Sequence, residues 1–317
     1  MHQTSKDVSY LLGFDGGGSK TECVLAGQDG NVVARATAGP SNPLRTGYAR
    51  AWFALSEAAD LVLAKAKANS GQVSAVCAGL GGAGRQGVVR RVTTFFQGSF
   101  PNAAIHVTTD LEIALEAAFG SGEGMILLAG TGSAAFARDL AGRAARAGGR
   151  GPWVSDEGSA FDIGKRAVRA VILAEESRGP ATELSKRLFK LHQSRGWDTL
   201  SEAIAKNPDD VFPKTFPLVA DLADKGDPVG QEIMNGAAAA LAELAATVAR
   251  EIGWHERDFL LAKSGGVHGR SKFLDAVLEA ELKKSVPRAT VVHPEMTPGE
   301  AAVRMATRLA SAKGNAA

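Results

Sequence analysis

The chain has 317 residues, of which 45% are hydrophobic and 22% are charged, and its formal net charge is +2. This composition is typical of an ordinary folded protein with room for two domains, and it excludes a disordered or fibrous chain. The nearly balanced charge gives no reason to expect a nucleic acid as the main partner.

Neither a secretion signal nor a membrane span is recognisable. The first ten residues are polar, and the most apolar helical run, 233–250, is interrupted by Asn235 and Glu243. We therefore expect a cytoplasmic protein that does not contact a membrane. Cys23 and Cys77 lie in apolar runs typical of strands, which favours buried thiols over a disulfide or a metal site.

The first predicted elements are two strands joined by a glycine-rich turn, in the segment LLGFDGGGSKT that begins at Leu11. Asp15 ends the first strand, three glycines form the turn, and the run from Cys23 forms the second strand. Backbone N–H groups in such a turn can approach an anion closely, and a carboxylate at the strand end can hold Mg²⁺, directly or through water. We interpret the hairpin as a phosphate-binding loop; the alternative is an ordinary turn with Lys20 in solvent.

The glycine spacing differs from two better-known nucleotide motifs. A Walker loop requires Gly-Lys followed by Ser or Thr at the start of a helix, whereas here Gly18 is followed by Ser19, Lys20 and a predicted strand. A dinucleotide-binding motif also requires a helix after its glycines. Neither motif matches.

The rest of the first half alternates between strands and helices. The pattern predicts a strand over 31–36, a helix over 49–68, a strand over 73–78 that enters the glycine-rich loop 79–84, and a strand over 104–109. Asp110 follows the last strand and precedes a helix over 111–119. An aspartate at this place can accept a proton close to the positive helix N-terminus, or it can cap the helix, or both.

The second half repeats the order of the first. An apolar strand over 125–129 enters the loop Gly130–Ser133, and two more short strands and a helix that begins at Ser159 follow. This repetition indicates an internal duplication, with one half at 1–120 and the other at 121–317.

The remainder of the second half is predicted to be mostly helical. A helical insertion covers about 180–225 and is expected to be broken by one glycine and three prolines, Gly196, Pro208, Pro213 and Pro217. Asp227 and Pro228 begin a long helix. A strand over 259–262 then enters a glycine loop at Ser264–Val267. The last predicted elements are a helix over 271–285, a strand over 289–293 and a helix over 298–310.

The glycine loops and the acidic positions together resemble the superfamily of actin, the hexokinases and the heat-shock chaperone ATPases. Within it the chain is most similar to the N-acetylglucosamine kinase group, which is related to the benzoyl-CoA reductase activating ATPases. The resemblance rests on the segments 15–21, 39–42, 78–84, 109–110, 129–133, 148–152, 156–159 and 264–266. It implies an α/β fold of two duplicated ribonuclease H-like domains, with the nucleotide in the cleft between them.

The resemblance also implies the activity and the residues of the site. It implies an ATP- and Mg²⁺-dependent kinase that phosphorylates the 6-hydroxyl of N-acetylglucosamine, with Asp110 as general base, Asp15 at the metal, and a homodimeric assembly. The implied nucleotide-binding residues are Asp15, Gly17, Gly18, Ser19, Lys20, Thr21, Gly130, Thr131, Gly132, Ser133, Gly265 and Gly266. The implied sugar-binding residues are Asn42, Asp110, Gly149, Arg150, Gly151 and Asp156.

Several alternatives remain open at this stage. Asn42 could be only a turn residue, and Asp156 only a solvated loop carboxylate or a cap. Eukaryotic enzymes of the group carry Trp where this chain has Arg150, and a cation there is compatible with an anionic substituent such as a lactyl ether. Glucosamine and N-acetylmuramic acid are therefore alternative substrates. Two other classes of protein are an activator ATPase with an iron–sulfur cluster shared between subunits, and a catalytically silent sugar sensor.

Overall fold

The computed structural model describes residues 9–314, which form two compact units. Of the described residues, 9–121 and 294–314 belong to the first unit, and Gly122–His293 form the second. The strands are β1 (Tyr10–Gly16), β2 (Thr21–Gly27), β3 (Val32–Ala38), β4 (Val73–Leu80), β5 (Ala104–Thr109), β6 (Gly124–Ala129), β7 (Ser133–Arg138), β8 (Ala144–Gly148), β9 (Phe259–Ser264) and β10 (Ala289–Val292).

The α-helices lie between and after these strands. They are α1 (Pro43–Thr46), α2 (Tyr48–Ala66), α3 (Gln86–Ser99), α4 (Asp110–Phe119), α5 (Ala160–Glu175), α6 (Leu184–Leu191), α7 (Trp197–Lys206), α8 (Pro208–Asp224), α9 (Pro228–Glu251), α10 (Lys272–Ser285) and α11 (Pro298–Gly314). A short 3₁₀ turn covers Ser70–Gln72.

Each unit contains a five-stranded mixed sheet, and the two sheets have the same strand order. In the first unit the order is β3-β2-β1-β4-β5, and in the second it is β8-β7-β6-β9-β10. In both, the first three strands along the chain pair antiparallel and the last two pair parallel. The predicted duplication is therefore confirmed as a repeated α/β topology.

The two faces of the first sheet are covered by different helices. Leu12 and Phe14 of β1 face one apolar cluster with α2 and α3, whereas Leu11 faces a second cluster that contains Ile113 of α4 and Ala302 of α11. Adjacent residues of a strand point to opposite faces, so a continuous apolar run such as this one is typical of a strand buried on both sides.

The position of α11 corrects one sequence expectation. The predicted division assigned the whole stretch 121–317 to the second half, but the chain from Pro294 onward belongs to the first unit. A Cβ atom on Gly13 would lie 2.4 Å from the carbonyl oxygen of Gly299 and 2.5 Å from the amide nitrogen of Val303, so β1 and α11 pack more closely than a side chain at this position would permit. Chain order alone does not carry this information.

The second unit has its own core around β6, β7 and the helices α5, α8 and α9. The expectation that Pro213 and Pro217 end a helix is wrong, because both lie inside α8. Each proline removes a backbone donor, but α8 buries Phe212 and Phe216 and packs so closely on α5 that a Cβ atom on Gly164 would lie 1.8 Å from the carbonyl oxygen of Phe212. Tertiary packing therefore outweighs the local penalty.

Two further expectations concern the cysteines and the membrane. Cys23 on β2 and Cys77 on β4 are buried free thiols, as predicted. Among the helices that the structure describes, none has the length and apolar character needed to cross a bilayer.

Candidate functional site

The glycine-rich hairpin of the first unit joins β1 to β2. Gly16 ends β1, Thr21 begins β2, and the amide of Gly17 donates to the carbonyl oxygen of Lys20 at 2.9 Å. Ser19 and Lys20 are exposed at the tip of the turn. The hairpin is thus a tight, backbone-closed turn with a hydroxyl and an ammonium group in solvent.

Two other loops are hydrogen-bonded to the base of this hairpin. The carbonyl oxygen of Gly16 accepts from the amide of Gly81 at 2.8 Å, and the carbonyl oxygen of Gly17 accepts from the amides of Ser41 at 3.2 Å and Asn42 at 3.1 Å. A Cβ atom on Gly16 would lie 2.2 Å from Ser41 Oγ, so only glycine fits at this junction. The backbone therefore brings the loops after β1, β3 and β4 together.

The buried side chain of Thr21 stabilises the same junction. Its side chain is fully buried, and its hydroxyl lies 2.7 Å from both the carbonyl oxygen of Gly39 and the hydroxyl of Ser41. The Thr21 hydroxyl therefore links the hairpin to the loop that carries Asn42. The nucleotide contact implied for Thr21 stays a prediction, and it would have to use another part of the residue than this hydroxyl.

Asn42 and Asp110 meet over the backbone of Gly81. A Cβ atom on Gly81 would lie 2.9 Å from Asn42 Nδ2 and 3.4 Å from Asp110 Oδ2. Asn42 Oδ1 accepts from the amide of Leu44 at 3.0 Å and caps α1, which fixes the orientation of its carboxamide. Asn42 is therefore both a turn residue and a close neighbour of Asp110.

Asp110 is the first residue of α4, and it does not serve as the helix cap. The cap is Thr109, whose hydroxyl accepts from the amide of Glu112 at 3.2 Å. Asp110 Oδ1 accepts from the amide of Leu111 at 3.0 Å. The positive end of the helix favours the ionised carboxylate, which is the form that accepts a proton.

Asp15 lies near Asp110 and has a strongly shifted acidity. Burial, followed by the negative charges of Asp110 and Glu22, raises the pKa of Asp15 to about 7, and the charge of Lys20 opposes this rise. A bound divalent cation would offset the repulsion between the carboxylates, so the site fits Mg²⁺ held in part by Asp15 and in part by phosphate oxygens. Residues 9–314 contain no group of three or more His, Cys, Asp or Glu side chains suited to a dedicated metal cage.

Two glycine loops of the second unit are in contact with each other. The amide of Gly130 donates to the carbonyl oxygen of Gly132 at 2.9 Å, and the amide of Val267 donates to the carbonyl oxygen of Ala129 at 3.0 Å. Gly265 has a φ of +99°, and a Cβ atom there would lie 2.3 Å from the carbonyl oxygen of Ala129. The predicted loops after β6 and β9 thus form one glycine-lined surface, with Gly265 and Gly266 exposed.

Asp156 adjoins this surface. Its side chain is buried, and Asp156 Oδ2 lies 2.8 Å from where a Cβ atom on Gly132 would be. The backbone of Asp156 has a φ of 67°, in the left-handed region that non-glycine residues rarely adopt. Its burial argues against the alternative of a solvated loop carboxylate, and a strained backbone of this kind is more common at functional sites.

Ser133 repeats in the second unit what Thr21 does in the first. Each begins the second strand of a glycine hairpin, and Ser133 pairs with Ala129 as Thr21 pairs with Gly16. The Ser133 hydroxyl is buried and donates to the carbonyl oxygen of Glu157 at 2.6 Å, in the loop before α5. The nucleotide contact implied for Ser133 stays a prediction, as at Thr21.

The segment Gly149–Gly151 lies at the end of β8. The carbonyl oxygen of Gly149 accepts from Arg146 Nη2 at 2.7 Å, and a Cβ atom on Gly149 would lie 3.1 Å from Ala134 Cβ. Arg150 is exposed, and the carbonyl oxygen of Gly151 accepts from the amide of Ser155 at 2.9 Å. These contacts place the segment beside the start of β7, close in the chain to Asp156.

The site residues therefore form one group in each unit. The first unit brings together the hairpin, Asn42 and Asp110, and the second brings together the loops at Gly130 and Gly265, with Asp156. Sequence reasoning did not give a role to Gly81, whose missing side chain makes room for Asn42 and Asp110. The signal was the glycine-rich loop that follows β4.

Two curated relatives align with almost the whole chain. An N-acetylmuramic acid/N-acetylglucosamine kinase of Clostridium acetobutylicum is 28% identical over 289 residues, which cover 90% of this chain and 94% of the relative. An N-acetyl-D-glucosamine kinase of Dictyostelium discoideum is 29% identical over 317 residues, which cover 95% and 98%, respectively.

Solved structures agree with the fold. A Chromobacterium violaceum protein, provisionally named an N-acetylglucosamine kinase, has a TM-score of 0.72 at 26% identity, with coverage of 94% of this chain and 99% of that protein. A glucokinase of the ROK family from Streptomyces griseus, solved with glucose and AMPPNP, has a TM-score of 0.63 at 14% identity, with coverage of 95% and 100%. The second likeness supports the hexokinase-like fold alone.

A family model matches most of the chain. The model of the BadF/BadG/BcrA/BcrD ATPase family covers residues 12–306. This range includes all of both sheets except the first two residues of β1, every glycine loop described above, and Asp15, Asp110 and Asp156. The protein therefore belongs to the BadF/BadG/BcrA/BcrD ATPase family.

Proposed function

We propose that this protein is an ATP-dependent amino-sugar kinase that transfers the γ-phosphoryl group to the 6-hydroxyl of N-acetylglucosamine. The observation that carries the proposal is the placement of Asp110. It stands at the N-terminus of α4, beside the carboxamide of Asn42 and within electrostatic reach of Asp15. A base, a hydrogen-bonding amide and a carboxylate for Mg²⁺ are the groups that phosphorylation of a sugar hydroxyl requires.

The residues of the first unit have distinct roles in this proposal. Asp110 accepts the proton of the attacking hydroxyl, and Asn42 orients the sugar by hydrogen bonds. Backbone N–H groups of the hairpin and the Ser19 hydroxyl bind phosphate oxygens, and Lys20 adds a positive charge. Mg²⁺, when bound near Asp15, neutralises charge on the β- and γ-phosphates.

The second unit carries two further groups of residues suited to these ligands. The glycine surface at Gly130–Gly132 and Gly265–Gly266 contacts the nucleotide, since a chain without side chains can approach phosphate, ribose and base closely. Asp156 and the segment Gly149–Gly151 bind sugar hydroxyls, which a site built of polar groups recognises strongly.

Support for an amino sugar comes from the relatives. Those with the most complete alignments are named as kinases for N-acetylglucosamine or for N-acetylmuramic acid and N-acetylglucosamine, and another relative, from Vibrio cholerae, is named a glucosamine kinase at 27% identity. The exposed guanidinium of Arg150 suits a carboxylate-bearing sugar. N-acetylmuramic acid and glucosamine are therefore the alternative substrates.

The activator ATPase is the second candidate function, and one observation opposes it. Such a protein shares an iron–sulfur cluster between subunits through cysteine ligands. Cys23 and Cys77 are the only cysteines in the sequence, and both are fully buried in central strands of the first sheet. Purified protein without iron absorbance, isolated and kept anaerobically, would exclude this candidate, whereas a brown oxygen-sensitive dimer would support it.

A coupled ADP-release assay tests the proposed function. Wild type and Asp110→Asn are incubated with Mg²⁺ and ATP plus N-acetylglucosamine, glucosamine, N-acetylmuramic acid, glucose or no sugar. ADP release that depends on one amino sugar and is lost in the variant supports the kinase and identifies its substrate. Hydrolysis that is independent of sugar, or unaltered turnover in Asp110→Asn, contradicts it. Size-exclusion chromatography with light scattering tests the predicted homodimer.

A further inference from the structure

Glu116 of α4 is a buried carboxylate to which the proposed chemistry assigns no role. It is almost fully buried and contacts two arginines of α11. Arg304 Nε lies 2.6 Å from Glu116 Oε1, while Arg308 Nη1 and Nη2 lie 2.9 Å from Oε1 and Oε2, respectively. We call these three residues the Glu116 cluster.

Arg304 also contacts the backbone at the C-terminal end of α4. Its Nη2 donates to the carbonyl oxygen of Glu116, which accepts in addition from the amide of Gly120 at 2.9 Å. Cations stabilise this end of a helix because its last carbonyl groups point outward without helical partners. With Thr109 at the other end, α4 is therefore capped at both termini.

The middle of α4 is seated against the sheet by a close contact. A Cβ atom on Gly79 of β4 would lie 2.4 Å from Ile113 Cδ1, so the Ile113 side chain occupies the space above this glycine. The Glu116 cluster lies one turn further along the same helix. Together, these contacts define both the rotation of α4 and its position along its axis.

The cluster also connects two distant parts of the chain. The helix α4 ends at Phe119, just before the chain leaves the first unit at Ser121, and α11 begins just after the chain returns at Pro294. Asp110 and Glu116 lie at opposite ends of one short helix. A displacement of α4 at Glu116 is therefore transmitted to Asp110 through a continuous helical backbone.

We propose that Glu116, Arg304 and Arg308 are positioning residues that set α4, and with it the Asp110 carboxylate, against Asp15 and Asn42. The inference rests on the proposed function, because only a kinase reaction gives Asp110 a catalytic role. A buried ion cluster seldom adds net stability compared with apolar residues of similar size. It does impose a defined geometry, since each carboxylate oxygen must meet its own guanidinium nitrogens.

The experiment compares two glutamates that each pair with an arginine across an α11 contact. Glu116→Gln weakens the cluster, whereas the matched control Glu300→Gln weakens the contact between α11 and Arg35 of β3. Steady-state kinetics are measured well below both melting temperatures. We expect Glu116→Gln to lower kcat by about tenfold or more, since misplacing a catalytic group by ~1 Å can cost about 10²-fold. The KM values for sugar and ATP should change by less than about threefold, as expected when transition-state contacts alone are lost.

Two milder variants keep the test informative if Glu116→Gln does not fold. Arg308→Gln removes the half-exposed partner and leaves the contact of Arg304 intact, and Arg304→Lys keeps the charge but loses the fork of two nitrogens. Both should reduce kcat less than Glu116→Gln does, with KM values near wild type. Unchanged kcat in all variants, or an equal loss in Glu300→Gln, would overturn the proposal.

Hydrogen exchange separates this inference from the proposed function. Amide exchange in residues 111–119 of the full-length protein should be faster in Glu116→Gln than in Glu300→Gln, whether or not the protein is a kinase. Absence of sugar-dependent turnover in wild type would contradict the proposed function alone. Equal exchange in the two variants would overturn the positioning role itself.

Discussion

The carboxylate of Asp110 lies close enough to that of Asp15 for its charge to contribute to a raised Asp15 pKa of about 7. Each group belongs to a different element, since Asp15 lies on β1 and Asp110 begins α4. Two carboxylates that share a partly buried space favour either a proton or a cation between them. This relationship predicts how the stability of the protein depends on pH.

The raised pKa predicts that Asp15 makes stability fall as pH rises from about 4 to about 7. In this window the folded protein keeps a proton that the unfolded chain has released, so the free energy of unfolding decreases as pH rises. Asp15→Asn carries no titrating group and should be more stable than wild type by about 2–4 kcal/mol at pH 8 without Mg²⁺, and nearly equal to it at pH 4. Urea unfolding of both proteins at several pH values measures the difference. Parallel pH profiles would contradict the prediction.

Removal of the proposed base should abolish turnover without loss of the fold. Asp110→Asn is expected to lower kcat by about 10²–10⁴-fold, because an amide cannot accept the hydroxyl proton. Thr109→Ala is the matched control, since it removes the α4 cap and should cost about 1 kcal/mol of stability while it keeps most of kcat. Kinetics and thermal melts of the two variants make the comparison. A larger loss of kcat in Thr109→Ala would assign the effect to the helix end.

The buried hydroxyl of Thr21 predicts a structural effect. Thr21→Val leaves the carbonyl oxygen of Gly39 and the hydroxyl of Ser41 without this partner, which should lower the free energy of unfolding by about 1–3 kcal/mol. Because Ser41 precedes Asn42, the KM for the sugar should rise as well. Thr21→Ser keeps the hydroxyl and should restore both values; an inactive Thr21→Ser with normal stability would point to a different role.

We expect a side chain at position 81, in place of Gly81, to cause a selective loss of sugar affinity. A methyl group at this position would lie 2.9 Å from Asn42 Nδ2 and must displace the carboxamide. Gly81→Ala should therefore raise the KM for the sugar by about tenfold or more, the cost of one hydrogen bond to an uncharged group, while the KM for ATP changes little. Gly87→Ala, in the open first turn of α3, is the control and should be neutral or slightly stabilising. Equal effects at the two glycines would count against the site.

We expect Arg150 to determine the preference between neutral and acidic sugars. Arg150→Gln should reduce kcat/KM for N-acetylmuramic acid by about 10-fold or more, through loss of a charge-assisted contact. The value for N-acetylglucosamine should remain within about threefold of wild type, because no charge pair is lost with a neutral sugar. Competition between the two sugars in one assay measures the ratio directly. An unchanged ratio would remove Arg150 from the determinants of specificity.

Local sequence signals predicted the elements of the fold well. The glycine hairpin, the strand before Asp110 and the Ser159 and Asp227 caps all lie where turn, periodicity and capping patterns placed them. The repeated strand order followed from the repeated order of motifs. These features depend on neighbouring residues alone, so the sequence pattern is sufficient to find them.

Features that depend on distant contacts were missed or misassigned. The burial of the Thr21 and Ser133 hydroxyls against loops 18 and 24 residues further along the chain was not visible in the sequence. The prolines of α8 look like breaks, but packing on α5 keeps the helix intact. Glu116 looks like an ordinary surface residue of a helix until its partners from α11 are known.

The discontinuous first unit has a consequence for biosynthesis. The strands β1 to β5 are translated before the second unit, yet the apolar face with Leu11, Val24 and Cys77 is covered by Ala302, Val303 and Ala306 of α11. During translation we expect much of this face to stay exposed to solvent until α11 leaves the ribosome. More than half of the chain is synthesised in between. The second unit, a continuous segment, can complete its own core earlier. We therefore expect the part of the protein that is synthesised first to finish folding last.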